Sequence, residues 1–278
     1  MNIREIVACA LAEDLGTGDV TTQALFRTHV PASGTIVAEE PEGLALAGLA
    51  VAVEVFAQVD PSLTNTLSFA DGDRVPAGAA VLTVTGDGRY ILNGERVALN
   101  FLQRLSGIAT LTAKFCDAVK GFKTRIIDTR KTTPGLRALE KWAVTLGGGA
   151  NHRYGLADGI LIKDNHLALA GGDVARACLQ ARERAPHGLK IEVEVQSLDV
   201  VQAALDGGAD IILLDNMKVP AIRKAVEMIK GRATIEVSGG VTLGNVREIA
   251  AAGPDLISVG ALTHSAPAAR FSMDIVPR

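Results

Sequence analysis

Six short apolar runs, each ending in a charged or glycine-bearing cluster, set the pattern of this chain. Ile126-Ile127-Asp128 leads into Thr129-Arg130-Lys131, and Gly159-Ile160-Leu161-Ile162 into Lys163-Asp164-Asn165. Ile191-Glu192-Val193 ends at Glu194, and Ile211-Ile212-Leu213-Leu214 at Asp215-Asn216. Ala233–Val237 ends at Ser238-Gly239-Gly240, and Leu256–Val259 at Gly260-Ala261. The last four ends fall about 22 residues apart, the length of one strand plus one helix. Between them, Val200, Val201, Ala204 and Leu205 share one helical face, as do Ile222, Ala225, Val226 and Ile229. Helix starts are expected after Asp199, Pro220 and Leu243, and stops at Gly207-Gly208, Gly231 and Gly253. The pattern predicts parallel strands whose C-terminal ends carry the chemistry.

The earlier part of the chain reads differently. Residues 2–14 predict a helix with Ile3, Ile6, Val7, Ala10 and Leu11 on one face, stopped by Leu15–Asp19. From Pro31 to about Gly88 the pattern is β-rich, with strands at Thr35–Ala38 and Val81–Val84. A helix is embedded from Leu46 to Val59, and turns are signalled at Asp71-Gly72-Asp73 and Pro76-Ala77-Gly78. Glu95 to Val119 predicts a long helix, broken near Ser106-Gly107. Phe271–Val276 alternates apolar and polar residues, as a strand returning to the first domain would. The expected fold is α/β: an open or distorted six-stranded α/β barrel preceded by an N-terminal α+β sandwich domain. The expected domains are residues 1–107, joined by 268–278, and a catalytic barrel over 108–267.

Composition narrows the class. Hydrophobic residues make up 48% and aromatic residues 4% of the chain, a balance that suits tight α/β packing. Cys9, Cys116 and Cys178 are isolated, so neither a zinc site nor a disulfide framework is expected, and a reducing cytoplasm fits. Arg4, Glu5, Glu13 and Asp14 interrupt any apolar stretch at the start, so no signal peptide is expected. No segment has the uncharged length of a membrane span.

The net charge of −3 hides an asymmetry. Between Arg96 and Lys163 there are twelve Lys/Arg and four Asp/Glu, a local balance of +8 that leaves −11 on the rest. A basic stretch inside an acidic chain predicts a pocket for anions. Nucleic acid is the other partner such charge can serve, but here the cations are spaced singly and not interleaved with aromatics.

At the strand ends, Arg130, Lys131, Arg153 and Lys163 are cationic, and Glu194 and Asp215 are acidic. Arg grips carboxylate or phosphate through a planar fork, whereas Lys acts as a mobile point charge. Four cations around one mouth repel each other, a cost that makes sense for a ligand of several negative charges. The two acids suit Mg²⁺, ribose hydroxyls or a salt bridge to a nearby Lys. Ser238-Gly239-Gly240 and Gly260-Ala261 either expose backbone N–H groups to a phosphate or simply make tight turns. His152 follows the flexible run Gly147–Asn151 and can donate to an oxyanion or fill a polar contact. His166 and His264 are taken as structural.

Eight segments in order carry a resemblance to a known family. They are Glu13–Thr22, Glu95–Asn100, Leu105–Thr110, Asp128–Thr132, Gly147–Arg153, Ile162–His166, Leu214–Asn216 and Ser238–Gly240. Together they resemble the quinolinate phosphoribosyltransferase family, the carboxylating type of nicotinate-nucleotide pyrophosphorylase, over nearly the whole chain. The resemblance implies that quinolinate and phosphoribosyl pyrophosphate give nicotinate mononucleotide, pyrophosphate and CO2 with Mg²⁺, a step in NAD biosynthesis. It implies a homodimer in which Arg96 reaches the neighbouring subunit's site, and leaves open whether dimers assemble into a hexamer.

By the same resemblance Arg96, Arg130, His152 and Arg153 hold the quinolinate carboxylates. Lys131 and Lys163 serve those carboxylates and the phosphoribosyl phosphates, and Thr129 lines the same pocket. Glu194 and Asp215 hold ribose hydroxyls and the Mg²⁺-bound donor, and with Lys131 they form the expected catalytic set. Ser238, Gly239 and Gly240, with Val259, Gly260 and Ala261, hold the 5′-phosphate. The neighbouring possibilities are a related phosphoribosyltransferase acting on nicotinate, and a molybdenum-locus paralogue of the same scaffold. The intact Ile162–His166 segment disfavours the paralogue. A Schiff-base aldolase using Lys131 or Lys163, or a non-enzymatic anion-binding protein, are readings from other classes.

Overall fold

A computed structural model describes residues 2–278. The first elements in chain order are α1 (Ile3–Leu15), α2 (Val20–Leu25), β1 (Pro31–Ala38), β2 (Leu44–Ala45), α3 (Leu49–Val59) and β3 (Thr64–Leu67). Then come β4 (Arg74–Val75), β5 (Ala80–Asp87), the long α4 (Gly88–Ala118), β6 (Arg125–Ile127) and α5 (Arg137–Leu146). The strand–helix repeats follow: β7 (Ile160–Ile162), α6 (Asp164–Leu169), α7 (Val174–Arg184), β8 (Ile191–Val195), α8 (Leu198–Asp206) and β9 (Ile211–Asp215). The chain ends with α9 (Val219–Ile229), β10 (Thr234–Ser238), α10 (Val246–Ala250), β11 (Leu256–Ser258), α11 (Ala261–His264) and β12 (Phe271–Pro277).

One compact unit takes the residues up to Ala113 together with Thr132–Gly148 and Leu262–Arg278. Its antiparallel sheet has the order β12-β1-β5-β3, so the final alternating segment does return, pairing with β1 from Ala32↔Pro277 to Ala38↔Phe271. Asn2 and Glu5 close a capping box on α1, which buries Ile6, Val7 and Leu11 as the periodicity requires. The embedded helix starts three residues later than predicted, because Leu44 and Ala45 pair with β4. Its cap comes from a distant residue: the Asp71 carboxylate accepts from Gly48 N at 2.7 Å, Leu49 N at 2.9 Å and Ala50 N at 3.1 Å.

α4 starts earlier than predicted, at Gly88, and runs unbroken through Ser106-Gly107. The two residues serve packing. Ser106 Oγ accepts from Ala47 N at 3.0 Å and donates to Ala47 O at 2.9 Å. A Cβ on Gly107 would strike the Pro267 carbonyl, so this glycine permits a backbone to lie against the helix. Glu140, fully buried on α5, is paired with Arg104 of α4 at 2.7 Å and accepts from Thr133 N at 3.1 Å. These contacts place Thr132–Gly148 in this unit, whereas the sequence division put it with the barrel.

The second unit, Lys114–Lys131 and Gly149–Ala261, holds the six predicted strands in one parallel sheet of order β6-β11-β10-β9-β8-β7. The first strand meets the last, and only β6 and β7 remain unpaired with each other: an open barrel. Val193, Val195, Ile212, Leu214, Ile235, Val237 and Ile257 are buried, as strands covered on both faces demand. α8 buries Val201 and Ala204, and α9 buries Ile222, Ala225 and Ile229, the expected faces. No helix among the described residues is long and apolar enough to cross a membrane.

Replacing Gly107 with Ala gains about 1 kcal/mol of helix propensity. Overpacking costs about 1–3 kcal/mol, and here the collision is with backbone, which has little room to yield. Gly107→Ala is therefore expected to lower the unfolding midpoint; a stabilised variant would contradict this packing.

Candidate active site

The open edge of β6 positions the site. Ala150 bridges to β6, its N–H donating to Ile126 O at 2.9 Å while Asp128 N donates to Ala150 O at 3.1 Å. The fully buried Asp128 carboxylate then accepts from His152 N at 2.8 Å and from Asn151 Nδ2 at 2.6 Å. The segment Ala150–Arg153 is thus held like an extra strand end, with His152 and Arg153 facing the barrel interior. Arg153 is fixed further by donation to Gly159 O at 2.8 Å.

Beneath this segment lie two acids that the sequence reading passed over. Glu192 of β8 and Glu236 of β10 are 4% and 1% exposed. Their carboxylates approach His152 Nε2 at 3.2 and 3.7 Å. Burial works against the His152 imidazolium, but the hydrogen bond to Glu192 and the charges of both glutamates outweigh it, so its pKa is raised. Burial, reinforced by Glu192, pushes the Glu236 carboxyl up to about 7. Arg153 is lowered, by burial and then by the neighbouring Arg130 guanidinium. The signal for the two acids was present: a charge in the middle of a strand buried on both faces breaks the apolar run.

Above the cluster, at the C-terminal strand ends, lies a cavity of about 480 Å³. It gathers Thr129, Arg130, Lys131, His152, Arg153 and Lys163, facing Glu194, Asp215, Glu236 and the turn Ser238-Gly239-Gly240. All four predicted rim cations therefore share one mouth. Lys163 Nζ donates to Glu194, and Asn216 Nδ2 donates to Asp215 Oδ2 at 2.8 Å. Gly239 and Gly240 have φ of +88° and +61°. A Cβ on Gly239 would lie 2.9 Å from Asn216 N, so the turn needs glycine on both grounds.

Four predicted residues do not line this cavity. Val259 is buried and donates its N–H to Ile127 O at 2.9 Å; Gly260 and Ala261 follow it at the same end of the sheet. Arg96 lies on α4 in the first unit, with its side chain 58% exposed and 4.0 Å from Glu95. His166 Nδ1 accepts from Lys163 N at 3.0 Å and His264 Nδ1 sits 2.6 Å from Ser265 Oγ, both local contacts.

Comparison with known proteins agrees with this arrangement. Residues 108–274 match the family model described as quinolinate phosphoribosyl transferase, C-terminal domain, and residues 19–106 match its N-terminal domain. The chain is 41% identical over 275 residues to a Bacillus subtilis protein named probable nicotinate-nucleotide pyrophosphorylase (carboxylating), covering 99% of this chain and 94% of that one. It is also 41% identical over 292 residues to a mitochondrial quinolinate phosphoribosyltransferase (decarboxylating) of Nicotiana tabacum, covering 99% of this chain and 82% of the relative. The crystal structure of NadC from Streptococcus pyogenes superposes with a TM-score of 0.94 at 43% identity, covering 99% and 97% of the two chains.

The buried acids make a direct prediction about His152. Its imidazole should titrate in an NMR experiment above the ordinary 6.5, and Glu192→Gln should lower the midpoint. A wild-type midpoint at or below the ordinary value would contradict the assigned charges.

Proposed function

The chain belongs to the quinolinate phosphoribosyltransferase family, and from this premise we propose that it carries out that family's reaction. Phosphoribosyl passes from phosphoribosyl pyrophosphate to the ring nitrogen of quinolinate, and decarboxylation yields nicotinate mononucleotide, pyrophosphate and CO2. The observation that carries the reading is the single cavity lined by Arg130, Lys131, Arg153 and Lys163 with His152. A dicarboxylate and a phosphorylated sugar bring enough negative charge to relieve the repulsion among those cations. Nicotinate, with one carboxylate, would relieve less of it.

The chemistry needs no protein nucleophile, because the ring nitrogen attacks the anomeric carbon. Positive charge develops on the ribose, as in glycoside cleavage, and Glu194 and Asp215 on the rim can stabilise it. Arg130 and Arg153 grip the carboxylates and so orient the ring for attack, with His152 lining the same cavity. The turn Ser238–Gly240 offers its backbone N–H groups to the 5′-phosphate.

Mg²⁺ fits the hard oxygen donors of Asp215 and Glu194, although Glu194 is already paired with Lys163. When bound, Mg²⁺ would neutralise charge on the departing pyrophosphate. The exposed Arg96 supports a homodimer in which it completes the neighbouring subunit's site. Cys9, Cys116 and Cys178 form no disulfide, which suits a reducing, cytoplasmic setting.

The purified protein should release CO2 and nicotinate mononucleotide in equal amounts, only with quinolinate, phosphoribosyl pyrophosphate and Mg²⁺ all present. Turnover of nicotinate without CO2 would move the specificity to the related enzyme. Glu194→Gln and Asp215→Asn should each raise the KM for the Mg²⁺-bound donor about tenfold or more, the loss of one charged contact. Unchanged Mg²⁺ dependence in both would remove the metal assignment. Arg96→Ala and Lys131→Ala should each be nearly inactive. Mixed together they should regain about a quarter of wild-type activity, since random two-fold pairing restores one site in each mixed dimer. No recovery would defeat the shared site.

A further inference from the structure

The reaction proposed above leaves one proton unassigned. When the bond from the ring carbon beside the nitrogen to its carboxylate breaks, the electron pair stays on that carbon and CO2 departs. The carbon must then take a proton. Guanidinium groups do not give up a proton, Lys163 is engaged by Glu194, and the Lys131 ammonium is the mobile point charge that serves the substrate anions. His152 Nδ1 accepts from Arg153 N at 2.7 Å, so the ring proton sits on Nε2 and points to the glutamates. That tautomer also withholds the Nε2 lone pair from a metal ion, although His152, Glu192 and Glu236 lie within metal-ligand spacing.

Glu192 and Glu236 crowd the same imidazole nitrogen, and two buried carboxylates cannot both stay ionised against one N–H. Glu192 holds the shorter contact. Glu236 Oε1 is buried, has no hydrogen-bond partner, and its residue lines the substrate cavity. We propose that Glu236, in its protonated form, is the general acid that delivers the proton to the ring carbon as CO2 leaves.

The environment of Glu236 supports this role. The charged groups around it are Glu192 on β8, His152 and Arg153 on the segment after Ala150, Lys163 after β7, and Arg130 across the cavity. The flanking strands offer no titratable group at its level: Leu213 is its register partner on β9 and Leu256 on β11. Burial and Glu192 raise its pKa to about 7, while His152, the Ser258 hydroxyl and Lys163 oppose them; a general acid works best near the operating pH. After the transfer Glu236 is a carboxylate and must regain a proton. A second cavity of about 340 Å³ shares His152, Arg153 and Glu236 with the first and extends to Arg125, Lys190 and Ile211 at the N-terminal strand ends. Water can therefore reprotonate Glu236 from the opposite mouth while substrates fill the rim.

Single-turnover rapid-quench measurements of CO2 release, with quinolinate affinity read by calorimetry, test the proposal. Glu236→Gln should slow the step about 10²- to 10³-fold, with quinolinate affinity changed by less than about tenfold. The wild-type rate should fall as pH rises past about 7, and the variant should lose that dependence. A variant as fast as wild type, or one slowed only through weaker quinolinate binding, would overturn the assignment while the reaction stands. A wild type that forms no product from quinolinate would overturn reaction and assignment together. Should Glu236→Gln fail to fold, infrared titration of the wild type decides. A protonated carboxylic acid band present at neutral pH and lost in base supports the proposal, and its absence overturns it.

Discussion

The hydrogen bond from His152 N to the buried Asp128 carboxylate is the interaction on which the site depends. A six-stranded parallel barrel that stays open between β6 and β7 leaves a strand edge with backbone groups to satisfy. Ala150 takes that edge, and Asp128 fixes the residues just beyond it. A carboxylate buried this completely is tolerable only with its acceptor sites filled. The segment carrying Asn151 and His152 supplies those donors, so satisfying the seam and aiming the cations are one event.

The rim is a problem in charge balance. Two like charges about 4 Å apart at an effective dielectric near 20 repel by about 4 kcal/mol. The lowering of the Arg153 pKa, by burial and by Arg130, is the local sign of such crowding. Glu192 offsets part of the positive charge from below, and Glu194 offsets Lys163 at the rim. What remains is a mouth still short of negative charge, and an anionic ligand with more than one charged group answers it best. Specificity for a dicarboxylate then follows from electrostatics that exist before the ligand arrives.

Much of this was legible in the sequence. Six apolar runs ending in charged or glycine clusters named the parallel strands and the end that carries Arg130, Lys163, Glu194 and Asp215. Asp128, Glu192 and Glu236 were missed for a common reason. Each was read as part of a strand or its terminus, where periodicity reports which residues face inward but not that an inward charge has found partners. Ser106 and Gly107 were misread as a helix break because local propensity does not show that Ala47 and the Pro267 carbonyl lie against that turn. Asp71 looked like a turn residue and also caps a helix more than twenty residues away in sequence. In each case the deciding partner is distant along the chain, and only the folded arrangement supplies it.

Calorimetric titration of the protein with quinolinate and with nicotinate, at low and high salt, tests the central claim most directly. The account predicts that quinolinate binds at least about tenfold more tightly, the worth of one charged contact, and that salt erodes the difference. Equal affinities, or a preference for nicotinate that salt does not alter, would contradict a site built on matching two carboxylates to a ring of cations.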